Sequence, residues 1–111
     1  MRKYRNVKVE IDGIRFDSKK EAERYLTLKK WEEDGHITRL TLQPKYRLIP
    51  SQKFDHQENE RPLDYKADFY YYDLDLDCEV VEDVKGVRTK DYVVKRKLFK
   101  YTHPKIMFRE I

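Results

Sequence analysis

Asp83 and Lys85 stand two residues apart in the stretch Val80-Val81-Glu82-Asp83-Val84-Lys85-Gly86, and Asp68 lies fifteen residues before Asp83. Side chains alternate across a strand, so an extended stretch here puts Asp83 and Lys85 on one face and Glu82 and Val84 on the other. A carboxylate beside an ammonium, with a second carboxylate arriving from a neighbouring strand, can hold a divalent cation and a phosphate together. The chemistry of such a set is phosphodiester hydrolysis. A cation held by carboxylates neutralises the phosphate, orients it and acidifies a bound water. Magnesium prefers oxygen ligands and keeps several waters, so two or three carboxylates suffice; manganese is the natural substitute. Lys85 positions the attacking water or meets negative charge building on the phosphate. Glu21 offers a third carboxylate and the Val84 carbonyl a further oxygen.

These residues must be carried by separate elements. Val7, Val9 and Ile11 alternate with polar residues, Asp12-Gly13 follows, and Ile14 and Phe16 resume the alternation, which predicts an N-terminal β-hairpin. Ser18-x-x-Glu21 reads as a capping box opening a helix that runs to about Asp34, with Gly35 as the stop. Ala22, Tyr25, Leu26 and Leu28 form its apolar arc, and Glu21 projects on the inward side. Residues 37–49 read as one strand, with Pro44 requiring an edge or a bulge. Residues 50–62 are polar and read as a flexible surface loop. Two further strands are expected at 63–72 and 78–85, joined by a solvated turn at Asp73–Asp77. A helix follows at about 90–101, with Tyr92, Val94, Leu98 and Tyr101 buried, then a last short strand at 106–108. The order is hairpin, α, β, β, β, α, β: an α/β fold whose mixed four-stranded sheet carries a helix on either side.

The chain has 111 residues, so one domain over 1–111 is expected. Apolar residues are 39% and charged residues 41%, so the core is small and leans on nine tyrosines and five phenylalanines. The net charge of +4 is a mild basic bias compatible with nucleic acid. Its distribution is sharper: residues 73–83 carry six acids and no base, whereas 85–100 carry seven bases and one acid. The sign changes at the proposed centre. A single cysteine, Cys78, excludes an internal disulfide and a cysteine-rich zinc site and suits a reducing cytoplasm. Met1-Arg2-Lys3-Tyr4-Arg5 is basic but leads into no apolar run, so no membrane association is expected.

Each candidate has a plain alternative. An Asp-x-Lys triplet is often a surface ion pair. Glu21 can serve only as the N3 residue of the capping box. Asp73, Asp75 and Asp77 imitate the start of a calcium loop, but Cys78 and Val84 stand where that loop needs Gly and Glu. Glu82 reads as an ordinary surface charge. Lys90, Lys95, Arg96 and Lys97 suit DNA phosphates or simply a solvated helix face. Gln43 and Lys45 approach the centre from the first long strand, though Gln43 also suits a structural bond around Pro44. Tyr70 or Tyr72 could stack on a splayed base, while most tyrosines belong to the core. His36, His56 and His103 have no ligand spacing and receive no role.

With Asp68 followed by Asp83-Val84-Lys85, the chain resembles the PD-(D/E)XK nuclease superfamily, and the order α, β, β, β, α, β matches the restriction-endonuclease-like core. Phe16-Asp17-Ser18-Lys19-Lys20-Glu21-Ala22, Leu42-Gln43-Pro44-Lys45-Tyr46, Ala67-Asp68-Phe69 and Val81-Glu82-Asp83-Val84-Lys85-Gly86 look like short phage and prophage proteins of uncharacterised function within it. Ala67 stands where the superfamily's name has proline. The resemblance implies magnesium-dependent cleavage of DNA, with Asp68 and Asp83 as ligands, Lys85 as the catalytic lysine and Glu21 as the helix-borne acid. The expected activity is a DNA endonuclease in the cytoplasm of a bacterial host, acting on branched intermediates of phage replication or recombination. A homodimer would let so small a domain cut two strands. Chemistry alone leaves RNA open. The rival reading is a non-catalytic DNA- or protein-binding subunit of a phage complex on the same fold.

Overall fold

The computed structural model describes residues 8–111; Val7 of the expected hairpin and the basic residues 1–5 lie outside the described residues. β1 (Val9–Ile11) and β2 (Ile14–Phe16) pair antiparallel through Asp12 and Gly13, at φ +56° and +77°. Positive φ at both central residues is what a tight hairpin turn of matching twist requires. α1 (Lys19–Glu33) starts where the Ser18 hydroxyl accepts the Glu21 N–H at 3.1 Å, and the chain leaves it through Gly35 at φ +84°. Its buried face is Glu21, Ala22, Tyr25 and Leu28. Leu26, expected on that arc, is 49% exposed. At about 100° per residue it falls beyond Ala22, outside the sector spanned by the other four.

Residues 37–49 and 63–72 do not form two unbroken strands. Each breaks in the middle, giving β3 (Ile37–Leu42), β4 (Lys45–Ile49), β5 (Leu63–Lys66) and β6 (Phe69–Asp73). β3 pairs with β6 and β4 with β5, both antiparallel, so the two bent strands run side by side and bend together. Gln43 donates its N–H to the Asp68 carbonyl at 2.9 Å, and the Pro44 carbonyl accepts from Ala67 at 3.0 Å. Pro44 has no N–H to lose, which makes it tolerable at the break. The bend also reverses side-chain parity. Tyr65 and Ala67 pack into one core cluster while Phe69 and Tyr71 pack into the other, although an unbroken strand would put all four on one face.

β7 (Cys78–Asp83) and β8 (Met107–Glu110) complete a four-stranded mixed sheet in the order β3-β6-β7-β8, with β6–β7 antiparallel and β7–β8 parallel. The parallel step is bridged by α2 (Lys90–Thr102). The fold is therefore α/β, with α1 packed over Phe69, Tyr71 and Val80 on one side and α2 over Tyr65 and Val81 on the other. α2 buries Tyr92 and Phe99; Val94 and Tyr101, expected inside, are 54% and 83% exposed. Phe99 lies seven residues from Tyr92, two helical turns on, whereas Val94 and Tyr101 point roughly opposite.

The turn after β6 is built on Asp73, whose buried carboxylate accepts the N–H groups of Asp75 and Leu76 at 2.9 Å each. Asp75 and Asp77 are exposed as expected; Asp73 is not. The stretch 50–62 is exposed but not formless. Gln52 and Glu60 exchange two backbone hydrogen bonds of 2.9 Å, and Asn59 accepts the Phe54 N–H at 2.8 Å, so this stretch prolongs the β4–β5 ribbon. Among the described residues no helix is long and apolar enough to cross a membrane.

Glu82 is not a surface charge. It is 0% exposed, under α1, where Arg24 grips both its oxygens at 2.6 Å and the Tyr71 hydroxyl also donates to it. The Arg24 guanidinium lies 4.8 Å from the Trp31 ring centroid. A planar fork against a carboxylate is the strongest neutralisation available to a buried acid. Arg24→Met should therefore strand the Glu82 charge and cost about 3–5 kcal/mol in urea unfolding, and adding Glu82→Met should recover most of that loss. An Arg24→Met chain as stable as the parent would show that the pair is not what secures this face.

Candidate active site

Asp68 sits at the bend between β5 and β6 and is tied into both neighbours. Its N–H donates to the Glu82 carbonyl at 3.1 Å and its own carbonyl accepts from Gln43. Its Oδ2 accepts the Val84 N–H at 2.7 Å. The carbonyl of Val84 was the expected contribution; the contact made is through the amide. Asp83 ends β7 on the α2 side, where the Tyr65 hydroxyl donates to its Oδ2 and the Lys85 Nζ lies 3.3 Å from its Oδ1. Asp83 and Lys85 thus share a face, with Glu82 on the other.

Burial first, then the neighbouring Asp83 carboxyl and the charge of Glu21, push the Asp68 carboxyl up to about 8, against the opposing pull of the Val84 N–H. Near neutrality the half-buried Asp68 carboxyl therefore favours its protonated form in the free chain. Glu21 is buried at the start of α1, and burial first, then Asp17 and Asp83, raise its carboxyl, with Lys85 opposing. Ser18 caps the Glu21 N–H, so the cap and the inward carboxylate coexist in one residue. Among the described residues, however, no three His, Cys, Asp or Glu side chains close around one point as ion ligands. Asp83 and Glu21 both act on Asp68 through their charge.

Lys85 is held from several directions. Its N–H donates to the Ile111 carbonyl at 3.2 Å and its carbonyl accepts the Lys20 Nζ at 3.0 Å. Its Nζ stands 4.3 Å from the centroid of the Tyr92 ring, a cation–π distance. The Tyr92 hydroxyl donates to Glu110 at 2.7 Å, and Glu110 is clamped by Arg88 at 2.5 Å and Arg96 at 3.5 Å. Tyr65 and Tyr92 are the contributors that the sequence reading missed. Neither has a local signature, because each meets its partner only through packing of separate elements.

The expected DNA-contacting residues do not form one surface. Lys90 and Lys97 are exposed on one stripe of α2, but Lys95 and Arg96 are half-buried and Arg96 turns to Glu110. Lys45 is exposed on the β4–β5 ribbon, 3.6 Å from Asp64, which also takes Arg47. Gln43 is exposed at the bend and braces Asp68 through its backbone. Tyr70 and Tyr72 are half-buried and donate to Glu79 and Asp77.

The raised Asp68 carboxyl sets a pH dependence. Without divalent ions the native chain keeps a proton that the unfolded chain releases at the usual carboxylate value, so the native state binds more protons from about pH 4 up to about pH 8. Stability should fall as pH rises through that window. Asp68→Asn keeps an acceptor for the Val84 N–H and carries no charge, so its melting temperature should fall less steeply and exceed the parent's at the alkaline end. Thermal melts in chelator across this range measure both; parallel curves for the two proteins would contradict the raised Asp68 carboxyl.

No curated protein and no solved structure matches the chain. The match that does exist runs over residues 1–111, and by it the chain belongs to the family described as "Protein of unknown function (DUF1064)".

Proposed function

We propose that this protein is a metal-dependent endodeoxyribonuclease on the PD-(D/E)XK plan, with a restriction-endonuclease-like core. Asp68 and Asp83 are its paired acids, Lys85 its lysine and Glu21 its helix-borne acid. The observation that carries the reading is a buried Asp83 carboxylate with the Lys85 ammonium 3.3 Å away, beside a half-buried Asp68 carboxyl that burial and its acidic neighbour raise. A core with only structural duties gains nothing from like charges pressed together; a site that must receive a cation does. The donor set is all oxygen, which suits magnesium, with manganese as substitute. When bound, the ion would neutralise phosphate charge and lower the pKa of a coordinated water.

The chain's own groups divide the remaining work. Asp68 and Asp83 would hold the ion, and because Asp68 must be deprotonated to do so, affinity would rise with pH. Tyr65 fixes one oxygen of Asp83 and Lys85 the other, which orients the carboxylate. Lys85, steered by the Tyr92 ring, donates from Nζ to the attacking water or to a non-bridging phosphate oxygen. Water adds to phosphorus in line and gives up a proton to solvent, the opposite P–O bond breaks, and the departing oxygen takes a proton from solvent, leaving a phosphate end and a hydroxyl end. Glu21 adds negative charge on the α1 side that favours a cation over a bare proton. A symmetric dimer in a bacterial host cytoplasm, working with phage replication or recombination proteins, completes the proposal.

The rival, a non-catalytic DNA- or protein-binding subunit, draws on the lack of three converging ligands among the described residues. Plasmid DNA separates the two. The parent chain should nick supercoiled plasmid in magnesium or manganese and not in chelator. Asp83→Asn and Lys85→Ala should each slow nicking on the order of 10²-fold or more while keeping a folded far-ultraviolet spectrum. Nicking at the parent rate in both variants removes the assignment. DNA binding without cutting under either metal favours the rival.

A further inference from the structure

A cleft of about 290 Å³ opens beside the acids, lined by Ile14, Arg15, Phe16, Glu21, Leu42 and Gln43. It lies between the β1–β2 hairpin, the first turn of α1 and the bend. Glu21 belongs both to this cleft and to the charged cluster, so whatever enters it lies next to the proposed scission point. The volume is at the small end for ligand clefts, which run from roughly 300 Å³ upward. It has room for a base.

The lining has the chemistry for such a guest. Ile14 and Leu42 supply half-buried apolar walls above buried Phe16. Gln43 brings a carboxamide that both donates and accepts, the pairing a base edge requires. Arg15 brings a guanidinium suited to a phosphate. Among the described residues neither side chain makes a hydrogen bond or an ion pair, so both are available to a ligand. Gln43 also has φ +52°, a left-handed conformation uncommon outside glycine and one that persists where surroundings over-determine it. Its N–H bond to the Asp68 carbonyl is that surrounding. One local conformation therefore secures Asp68 and sets Gln43 on the cleft.

We propose that this cleft receives a single unpaired nucleotide of the strand being cut, with Gln43 at the base edge and Arg15 at a flanking phosphate. A base inside a duplex is stacked and cannot reach such a recess without being extruded, so the preferred substrate is DNA with an unpaired flap or branch. This substrate assignment rests on the nuclease reading, and two separate measurements keep the fates of the two apart.

Binding is followed in chelator, where no cutting occurs, by the fluorescence of 2-aminopurine placed at the first unpaired position of a flap oligonucleotide. The parent should raise that fluorescence and bind the flap more tightly than the matched duplex. Gln43→Gly removes the side chain while adopting the positive φ freely. It and Arg15→Ala should each weaken flap binding about tenfold and leave duplex binding unchanged. With magnesium, the parent should cut flap DNA at least about tenfold faster than duplex, and both variants should lose that preference. Equal loss on flap and duplex, or no loss at all, overturns the cleft assignment while leaving the nuclease reading intact. Flap discrimination that depends on Gln43 and Arg15, with no cutting under either metal, supports the cleft and removes the nuclease.

Discussion

Asp68 and Asp83 come together at the place where β7 ends and the paired bend crosses it, and burial beside a second acid raises the Asp68 carboxyl. That approach needs two strands to stop or turn at the same level of the sheet. β7 stops because the chain leaves its ladder after Asp83. The strands beside it turn together at Gln43-Pro44 and Ala67-Asp68, locked by two backbone hydrogen bonds of 2.9 and 3.0 Å. The cost of pressing two carboxyls together is carried by the two core clusters on either side, which fix the backbone from which both project.

Neighbouring acids on β7 meet opposite fates. Glu82 faces α1 and is neutralised by a two-pronged arginine and a tyrosine hydroxyl. Asp83 faces α2 and finds a tyrosine, a lysine and a second acid. The first arrangement satisfies its charge inside the protein and is structural. The second leaves acids side by side, and burial beside Asp83 raises the Asp68 carboxyl in the free chain. The difference is one of partners, since both carboxylates are almost fully buried.

The last strand, though short, serves this centre. β8 brings Glu110 to Tyr92 and the Ile111 backbone to Asp83 and Lys85, with 2.9 Å from the Ile111 N–H to the Asp83 carbonyl. The Tyr92 ring is thereby fixed at its hydroxyl, and Lys85 rests against a face that cannot easily swing away. The C-terminal residues thus reach the lysine twice, at its backbone N–H through the Ile111 carbonyl and at its ammonium through the Tyr92 ring.

Much of the plan was legible in local pattern. Asp12-Gly13, the Ser18 cap, the Gly35 stop and the alternation along β7 each follow from short-range sterics and hydrogen bonding, and those rules need no distant partner. The inward turn of Glu21 and the shared face of Asp83 and Lys85 came from the same periodicities. What stayed hidden depends on contacts between elements far apart in the chain. Pro44 signalled an irregularity in the first strand, but the matching break at Ala67-Asp68 stayed hidden because nothing local says that position 43 pairs with 68. Glu82 looked like surface because its arginine is 58 residues away. Tyr65 and Tyr92 looked like core because their hydroxyls find carboxylates only after packing. Sequence alone determined which groups could do chemistry and which faces they take. Tertiary structure decided which of them touch, because burial and charge pairing are properties of neighbours that the chain meets only when folded.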